Sequence, residues 1–429
     1  MNFNLVASLT IFVVVLALIM SEKVHRTVAA LAGACLILIL RIMTFDEALK
    51  YIDFNTLGVL VGMMIIVGIV KKTGVFEYLA IFASKKVKGD PWKIILSLSA
   101  ITAIISGFLD NVTTVLLIVP MTFVITDTLE LDPIPFLIPE IFASNLGGTA
   151  TLIGDPPNIM IGSAAGLGFM DFIKNLTPVV IIIFIVIFSI FKLLYRNKLA
   201  VSEEKKQKIL GFDEKKAIKD LPLLKKCLVV LALVILGFFF HEQLKLQSAV
   251  VALCGAALLL LLSRASIDEV FLSVEWPTLF FFGGLFVMVG ALQKVGVINW
   301  LAAVIVHITQ GNLLLTGVII IWFAALASSI LDNIPLVATL IPLIQAMGTQ
   351  GGMHILPLWW ALSLGACIMG ACLGGNGTLI GASANVVVAG LSEKHGHKLT
   401  FNHYLKYGMP LMLVSVVIST IYIVVFYLL

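Results

Sequence analysis

Three aspartates stand where a carboxylate is costly. Asp110, Asp155 and Asp332 each interrupt a run otherwise dominated by apolar and small residues. An ionised side chain near the centre of a bilayer costs at least about 2.5–3.5 kcal/mol on insertion scales, so each needs a compensating reason. Asp110 and Asp332 are followed by Asn111 and Asn333, and both pairs fall where two apolar arms meet. Helix ends and freed carbonyls at such junctions form ion and substrate sites. The alternative is that the aspartates cap the arms that follow, satisfying orphan N–H groups. Serine would cap at lower cost, and the two roles can coexist. Asp155 belongs to a second polar element, which runs Asn145-Leu146-Gly147-Gly148-Thr149-Ala150-Thr151-Leu152-Ile153-Gly154-Asp155-Pro156-Pro157-Asn158. Proline lacks an N–H and glycine is permissive, so this run cannot stay regular helix. Unwound backbone at membrane depth is tolerated only where protein or a wet cavity surrounds it. A matching run carries Gly374-Gly375-Asn376-Gly377-Thr378 and Ser383-Ala384-Asn385. Close packing through Gly and Thr explains part of this pattern, but not an aspartate beside two prolines.

The candidate ion- or substrate-binding residues are therefore Asp110, Asn111, Thr114, Asp332 and Asn333 at the two junctions. The first break adds Asn145, Gly147, Gly148, Thr149, Thr151, Asp155 and Asn158, and the second adds Gly374, Gly375, Asn376, Thr378, Ser383 and Asn385. No resident metal or cofactor is expected beyond a transported or coupling ion, H+ or Na+.

The elements that must hold these residues are transmembrane helices. Of 429 residues, 60% are apolar and 12% charged, and the mean hydropathy is +1.11. Soluble domains carry about 25% charged residues. The chain repeats itself at an offset of 222: SGFLDNVTTVLLIVP from Ser106 realigns with SSILDNIPLVATLIP from Ser328. Asp53 pairs with Glu275, Thr56 with Thr278, Gly62 with Gly284 and Lys72 with Lys294. After a five-residue slip, LGGTATLIGDPPN from Leu146 realigns with LGGNGTLIGASAN from Leu373. Apolar runs and breakers predict helices over 4–20, 27–41 and 55–71, then a surface segment over 75–88. Arms over 92–109 and 112–129 follow, then a helix from 134 broken at Gly154-Asp155-Pro156-Pro157, and a helix over 176–195. The second unit reads 224–241, 248–263, 276–293, surface 296–308, arms 313–331 and 334–348, a broken helix over 356–390, and 408–429.

Each unit thus has five crossings plus one hairpin, and an odd number inverts the second copy. A cytoplasmic central linker puts 23 of the 28 Lys and Arg residues on one side and leaves only Arg41, Lys50, Lys174, Lys245 and Lys294 on the other. Both termini are then outside, and the expected location is a prokaryotic plasma membrane. The first apolar run has no preceding basic residue and is expected to be retained. The formal charge of +4 gives no reason to expect nucleic acid as a partner. The five cysteines read as small packing residues, with Cys367 and Cys372 also considered as thiophilic contacts. Trp300, Trp359 and Trp360 read as interface anchors. No phosphate loop, nucleophile–base set or metal-ligand spacing is present, so neither an enzyme nor an ATP-driven pump is expected. A passive channel is the remaining alternative to a transporter.

At the LDN…P blocks, GGTATLIGDPPN and LGGNGTLIGASAN the sequence resembles the ion transporter superfamily, over almost its whole length. It most resembles the branch with arsenite permeases, sodium/proton antiporters and the melanosomal P protein, whose domain is citrate-transporter-like. The resemblance implies a homodimer in the bilayer working by an elevator movement. The scaffold would be 1–90 and 223–311, the transport domain 91–195 and 312–429, and the cytoplasmic linker 196–222. The dicarboxylate branch has Ser-Asn-Thr at the hairpin tips, where this chain has Asp110-Asn111-Val112 and Asp332-Asn333-Ile334. Three carboxylates with no expected intramembrane Lys or Arg would repel a dianion. Cation/proton antiport is therefore favoured, with proton- or sodium-coupled movement of a small anion or a metalloid such as arsenite as the alternative.

Overall fold

The computed structural model describes residues 3–21, 23–196, 199–329, 333–365, 374–379 and 381–428; Asp332, Cys367 and Cys372 lie outside these residues. Among the described residues all regular structure is helical. The first half contains α1 (Phe3–Met20), α2 (Arg26–Ile39), α3 (Phe45–Tyr51), α4 (Phe54–Lys71), α5 (Val75–Lys86), α6 (Pro91–Ser106), α7 (Asn111–Leu129), α8 (Ile134–Thr149), α9 (Pro156–Ala165) and α10 (Phe169–Tyr195). The linker carries α11 (Glu203–Leu210) and a 3-10 turn (Glu214–Ala217). The second half contains α12 (Leu221–Phe240), α13 (Ser248–Ser263), α14 (Ile267–Leu272), α15 (Trp276–Lys294), α16 (Val297–Thr309), α17 (Leu313–Ser328), α18 (Asn333–Gly351), α19 (Leu356–Ser363), α20 (Gly374–Gly377), α21 (Ser383–Lys394) and α22 (Phe401–Ile423). Among the described residues seven helices, α22 with its final turn among them, are long and apolar enough to cross a bilayer, and six shorter apolar helices accompany them.

Local chemistry sets the boundaries. Asp90 caps α6 through Lys93 N, with Pro91 at the first helical position, where its missing N–H costs nothing. Pro156 and Pro157 open α9 in the same way. The first break covers residues 150–155, so it begins earlier than the Gly154–Pro157 expected. The last helix of the first half starts at Phe169 rather than 176, because Asp171, Lys174 and Pro178 dilute its apolar signal without ending the helix. Short α3 and α14, which periodicity missed, occupy equivalent positions in the two halves. α3 is held by a capping box between Thr44 and Glu47.

The halves interlock rather than sit side by side. α4 packs on α13, where Gly58 and Gly62 approach Ala249 and Ala252; α2 packs on α15, where Gly284 approaches Ala30. A Cβ on Gly62 would lie 2.6 Å from the Ala252 carbonyl carbon, so only glycine permits this approach. Within each pair the N-terminal ends meet: Asn55 Nδ2 donates to Ser248 Oγ at 3.1 Å, and Thr27 Oγ1 to the Pro277 carbonyl at 2.7 Å. Between pairs the ends alternate. Lys72, after α4, reaches Glu269 in α14 at 2.6 Å, and Lys294, ending α15, reaches Glu47 in α3 at 2.6 Å. Glu47 and Glu269, like Lys72 and Lys294, are repeat counterparts, so one ion pair is the other with its halves exchanged.

Several expectations need correction. Trp359 and Trp360 are buried inside the bundle, where Trp360 meets Phe172 edge-on at 5.5 Å; of the three, Trp300 alone is exposed. Cys227 is buried as expected, but Cys35 and Cys254 point out of the fold.

Candidate functional site

The start of α7, the break before α9 and the start of α18 come together against the N-terminal ends of α2 and α15. α6 and α7 run to a common tip, where Asp110 Oδ1 accepts from Thr113 N at 2.8 Å and so caps α7. Asp110 is therefore a cap as well as a lining residue. Asp155 precedes α9 in extended backbone, and its side chain makes no capping bond. It is 2% exposed, and its Oδ2 accepts from Asn333 Nδ2 of the second tip at 3.4 Å. Asp110, Asn111, Asp155, Asn333 and Ser383 border one cavity of about 50 Å³.

The starts of α2 and α15 complete that cavity with residues the sequence did not single out as ligands. Arg26 opens α2, and Glu275 with Thr278 opens α15. Arg26 Nη1 donates to Ser383 Oγ at 3.1 Å, and its guanidinium lies 5.4 Å from the centre of the Phe281 ring. The expectation of a site without Lys or Arg is thus corrected: Arg26 sits at the end of an apolar run and counts among the charges that set topology, while Glu275 stood in the sequence only as the counterpart of Asp53. Glu275 accepts from Thr278 Oγ1 at 3.0 Å, as its repeat counterpart Asp53, before α4, accepts from Thr56 Oγ1 at 2.6 Å. Pairing of Asp53 with Glu275 in the repeat was the signal that could have found them.

The other candidates stand behind the cavity and hold the breaks in shape. Asn145 is the hub: its Oδ1 accepts from Asn111 at 3.2 Å, and its Nδ2 donates to Asn376 Oδ1 at 2.8 Å and Asn385 Oδ1 at 3.2 Å. Asn158 Nδ2 donates to the Thr149 and Thr151 carbonyls at 3.0 and 2.8 Å, and Asn385 Nδ2 to the Thr378 carbonyl at 3.0 Å. These amides replace the helical partners that the broken backbone loses. Thr151 Oγ1 bonds the Gly107 carbonyl, and its counterpart Thr378 Oγ1 bonds the Ser329 carbonyl. Thr114 returns its hydroxyl to the Asp110 carbonyl at 2.9 Å, and Thr149 to that of Asn145 at 3.1 Å. Gly147 does not line the cavity; a Cβ there would strike the Ala103 carbonyl at 2.0 Å, so it seats α8 on α6. Gly148 and Gly154 face each other across the break. Gly374 and Gly375 open α20, whereas Asp332 lies outside the described residues.

Comparison with known proteins fits this arrangement. Residues 16–365 match the family described as citrate transporter, CitMHS. An uncharacterized transporter of Mycobacterium tuberculosis is 43% identical over 423 residues, covering 97% of both chains. The P protein of Homo sapiens is 35% identical over 495 residues, covering 96% of this chain and 58% of that protein. In fold, the chain is similar to the YdaH transporter of Alcanivorax borkumensis, with a TM-score of 0.59 at 14% identity, covering 94% of this chain and 98% of that one. A multi-pass helical chain with this repeat, these breaks and these relatives belongs to the citrate transporter (CitMHS) family of the ion transporter superfamily and is a membrane transporter.

Proposed function

We propose that the chain is a secondary active transporter that exchanges a small cation, Na+ in the first instance, for protons at the cavity between the hairpin tips and the scaffold. The observation that carries this reading is the composition and size of that cavity. Asp110, Asp155 and Glu275 border it against one guanidinium, Arg26, in about 50 Å³. Carboxylates outnumber the fixed positive charge, which favours a cation or protons. One water needs about 10–15 Å³ of such space, so the cavity admits a monatomic ion with a few waters.

Asp110 and Asp155 bind the cation or proton in this scheme, and Asn111 and Asn333 add amide oxygens. Competition between Na+ and H+ for the same carboxylates produces antiport without covalent chemistry. Arg26 holds part of the negative charge when the site is empty. Alternating access follows an elevator path: tips and breaks, 91–195 and 312–429, slide as one body along a scaffold of 1–90 and 223–311. The repeat supplies the second station, because Asp53 and Thr56 mirror Glu275 and Thr278 at the opposite end. We place the protein in the plasma membrane as a homodimer, with linker 196–222 cytoplasmic and both termini outside.

Arg26 favours one further reading, cation-coupled movement of a small anion such as citrate or of arsenite, in which the guanidinium and the coupling cation jointly offset the carboxylates. Proteoliposomes with an internal pH dye, challenged in turn with sodium, arsenite and citrate, separate the two. Sodium-driven proton movement without either solute supports antiport. Proton movement only when citrate or arsenite is added overturns it in favour of solute coupling, and single-channel currents overturn both in favour of a channel.

A further inference from the structure

Glu140 is a carboxyl that neither the tips nor the ion-paired ends of the scaffold use. It lies within α8 and is 1% exposed. Thr122 of α7 donates its hydroxyl to Oε1 at 2.6 Å, while Oε2 has no hydrogen-bond partner among the described residues. The helices packed on α8 are α6, α7, α10, α20 and α21. The titratable groups on these helices are Lys93 on α6, Asp127 on α7, Asp171, Lys174, Lys192 and Tyr195 on α10, and Glu393 and Lys394 on α21. Among the described residues none of them bonds Glu140. A carboxylate removed from water with one hydroxyl donor and no cation is strongly disfavoured, whereas the neutral acid tolerates the site.

Hydroxyls line the seam between Glu140 and the tip. Ser106 of α6 and Ser144 of α8 approach to 3.4 Å, and Ser144 donates to the Asn111 carbonyl at 3.0 Å. α6 and α8 run in the same direction, since Ala103 meets Gly147 and Gly107 meets Thr151. Four residues earlier on each helix, one turn from the Ser106–Ser144 contact, stand Thr102 and Glu140. Thr102 Oγ1 and, beyond it, Ser99 Oγ are buried and without a hydrogen-bond partner among the described residues. Three such atoms on one helix–helix seam are more than packing requires, because buried polar atoms are ordinarily satisfied. Nor does the repeat demand the carboxyl: the counterpart of Glu140 in the sequence is Cys367.

We propose that Glu140 is a proton-binding site inside the hairpin bundle, the station from which protons reach the Asp110–Asn111 tip along Thr102, Ser106 and Ser144. The proton leaves Glu140 Oε2; Thr102, Ser106 and Ser144, with water bridging the gaps that no direct bond spans, each accept one proton and pass on their own, and the Asp110 carboxylate receives one. Glu140 then regains a proton from the linker-facing end of α8. The route rests on the proton-coupled reading above; the protonation of Glu140 does not.

The test pairs infrared spectroscopy with flux. Full-length protein in nanodiscs should show the carbonyl band of a buried carboxylic acid that Glu140→Gln removes and Asp110→Asn leaves in place. In proteoliposomes, Glu140→Gln and Thr102→Val should each reduce sodium-driven proton movement about tenfold or more, the scale on which a lost proton-transfer group is felt. Thr102→Val keeps shape and serves if Glu140→Gln does not fold. Absence of the band overturns the proton site whatever the flux, and wild-type flux and pH profile in both variants overturn the route. A Glu140-dependent band in protein with no ion-driven proton movement would instead sink the antiport reading and leave the proton site standing.

Discussion

Asp110→Asn separates the two roles that one carboxylate plays at the first tip. Asn and Asp rank alike as N-caps, and the new side-chain oxygen can still accept from Thr113 N at 2.8 Å, so α7 should start where it does now. What disappears is the charge facing the cavity shared with Asp155 and Glu275. A unit charge about 4 Å from a bound cation, at an effective dielectric of about 20, contributes about 4 kcal/mol. At about 1.4 kcal/mol per decade, the variant should lose affinity for the cation by roughly a thousandfold. Asp110→Ala removes cap and charge together and should cost about 1 kcal/mol more in stability. Sodium-dependent flux and sodium-dependent shift of the thermal midpoint report the two effects separately. Unchanged sodium dependence and pH profile in Asp110→Asn, with a stability loss only in Asp110→Ala, would refute the reasoning and leave Asp110 as a cap alone.

Three further outcomes are expected. Gly62→Ala and Gly284→Ala should each destabilise by about 1–3 kcal/mol in thermal unfolding, since the new methyls meet backbone at 2.6 and 2.8 Å. Gly283→Ala, with nothing within 4 Å, should be neutral or stabilising. Lys294 and the capping box pull the Glu47 carboxyl from its ordinary 4.5 down to about 2. The folded value lies below the unfolded one, so the contribution is complete above about pH 4.5 and fades as pH falls toward 2. Glu47→Gln should therefore lower the thermal midpoint at pH 7 and match wild type at pH 2. A cysteine placed within 201–219 should resist impermeant thiol reagents outside intact cells, while one beside Leu429 should label; the reverse pattern would sink the orientation.

Breakers and repetition made much of this molecule readable. Pro156-Pro157, the Asp-Asn junctions and the 222-residue offset marked the tips and breaks, and the structure brings Asp110, Asn111, Asp155 and Asn333 to one cavity. The division of labour within the breaks was hidden, because Asn145 and Asn158 have the same polar character whether they face an ion or satisfy backbone. Arg26 and Glu275 were missed for a different reason. A charge at the end of an apolar run has a sufficient explanation in topology, and its role at the cavity arises only when tips from two distant parts of the chain dock beside it. Trp359 and Trp360 failed in the opposite direction, since an aromatic pair near a helix end is buried or interfacial according to neighbours that local sequence does not name.

The pairing of α4 with α13 and of α2 with α15 has a consequence for how the chain is made. Neither half can cover these helices alone, because the partner of each is supplied by the other half. What matters is the arrival of the second half: α2 and α4 must wait in the membrane, their glycine faces uncovered, until about residue 290 has emerged. Such long-range closure is slow, and it exposes the half-made chain to mispairing. It also means that the linker need not be continuous. Two fragments cut within 201–219 carry complementary faces and should find each other when produced together, whereas either alone should be degraded.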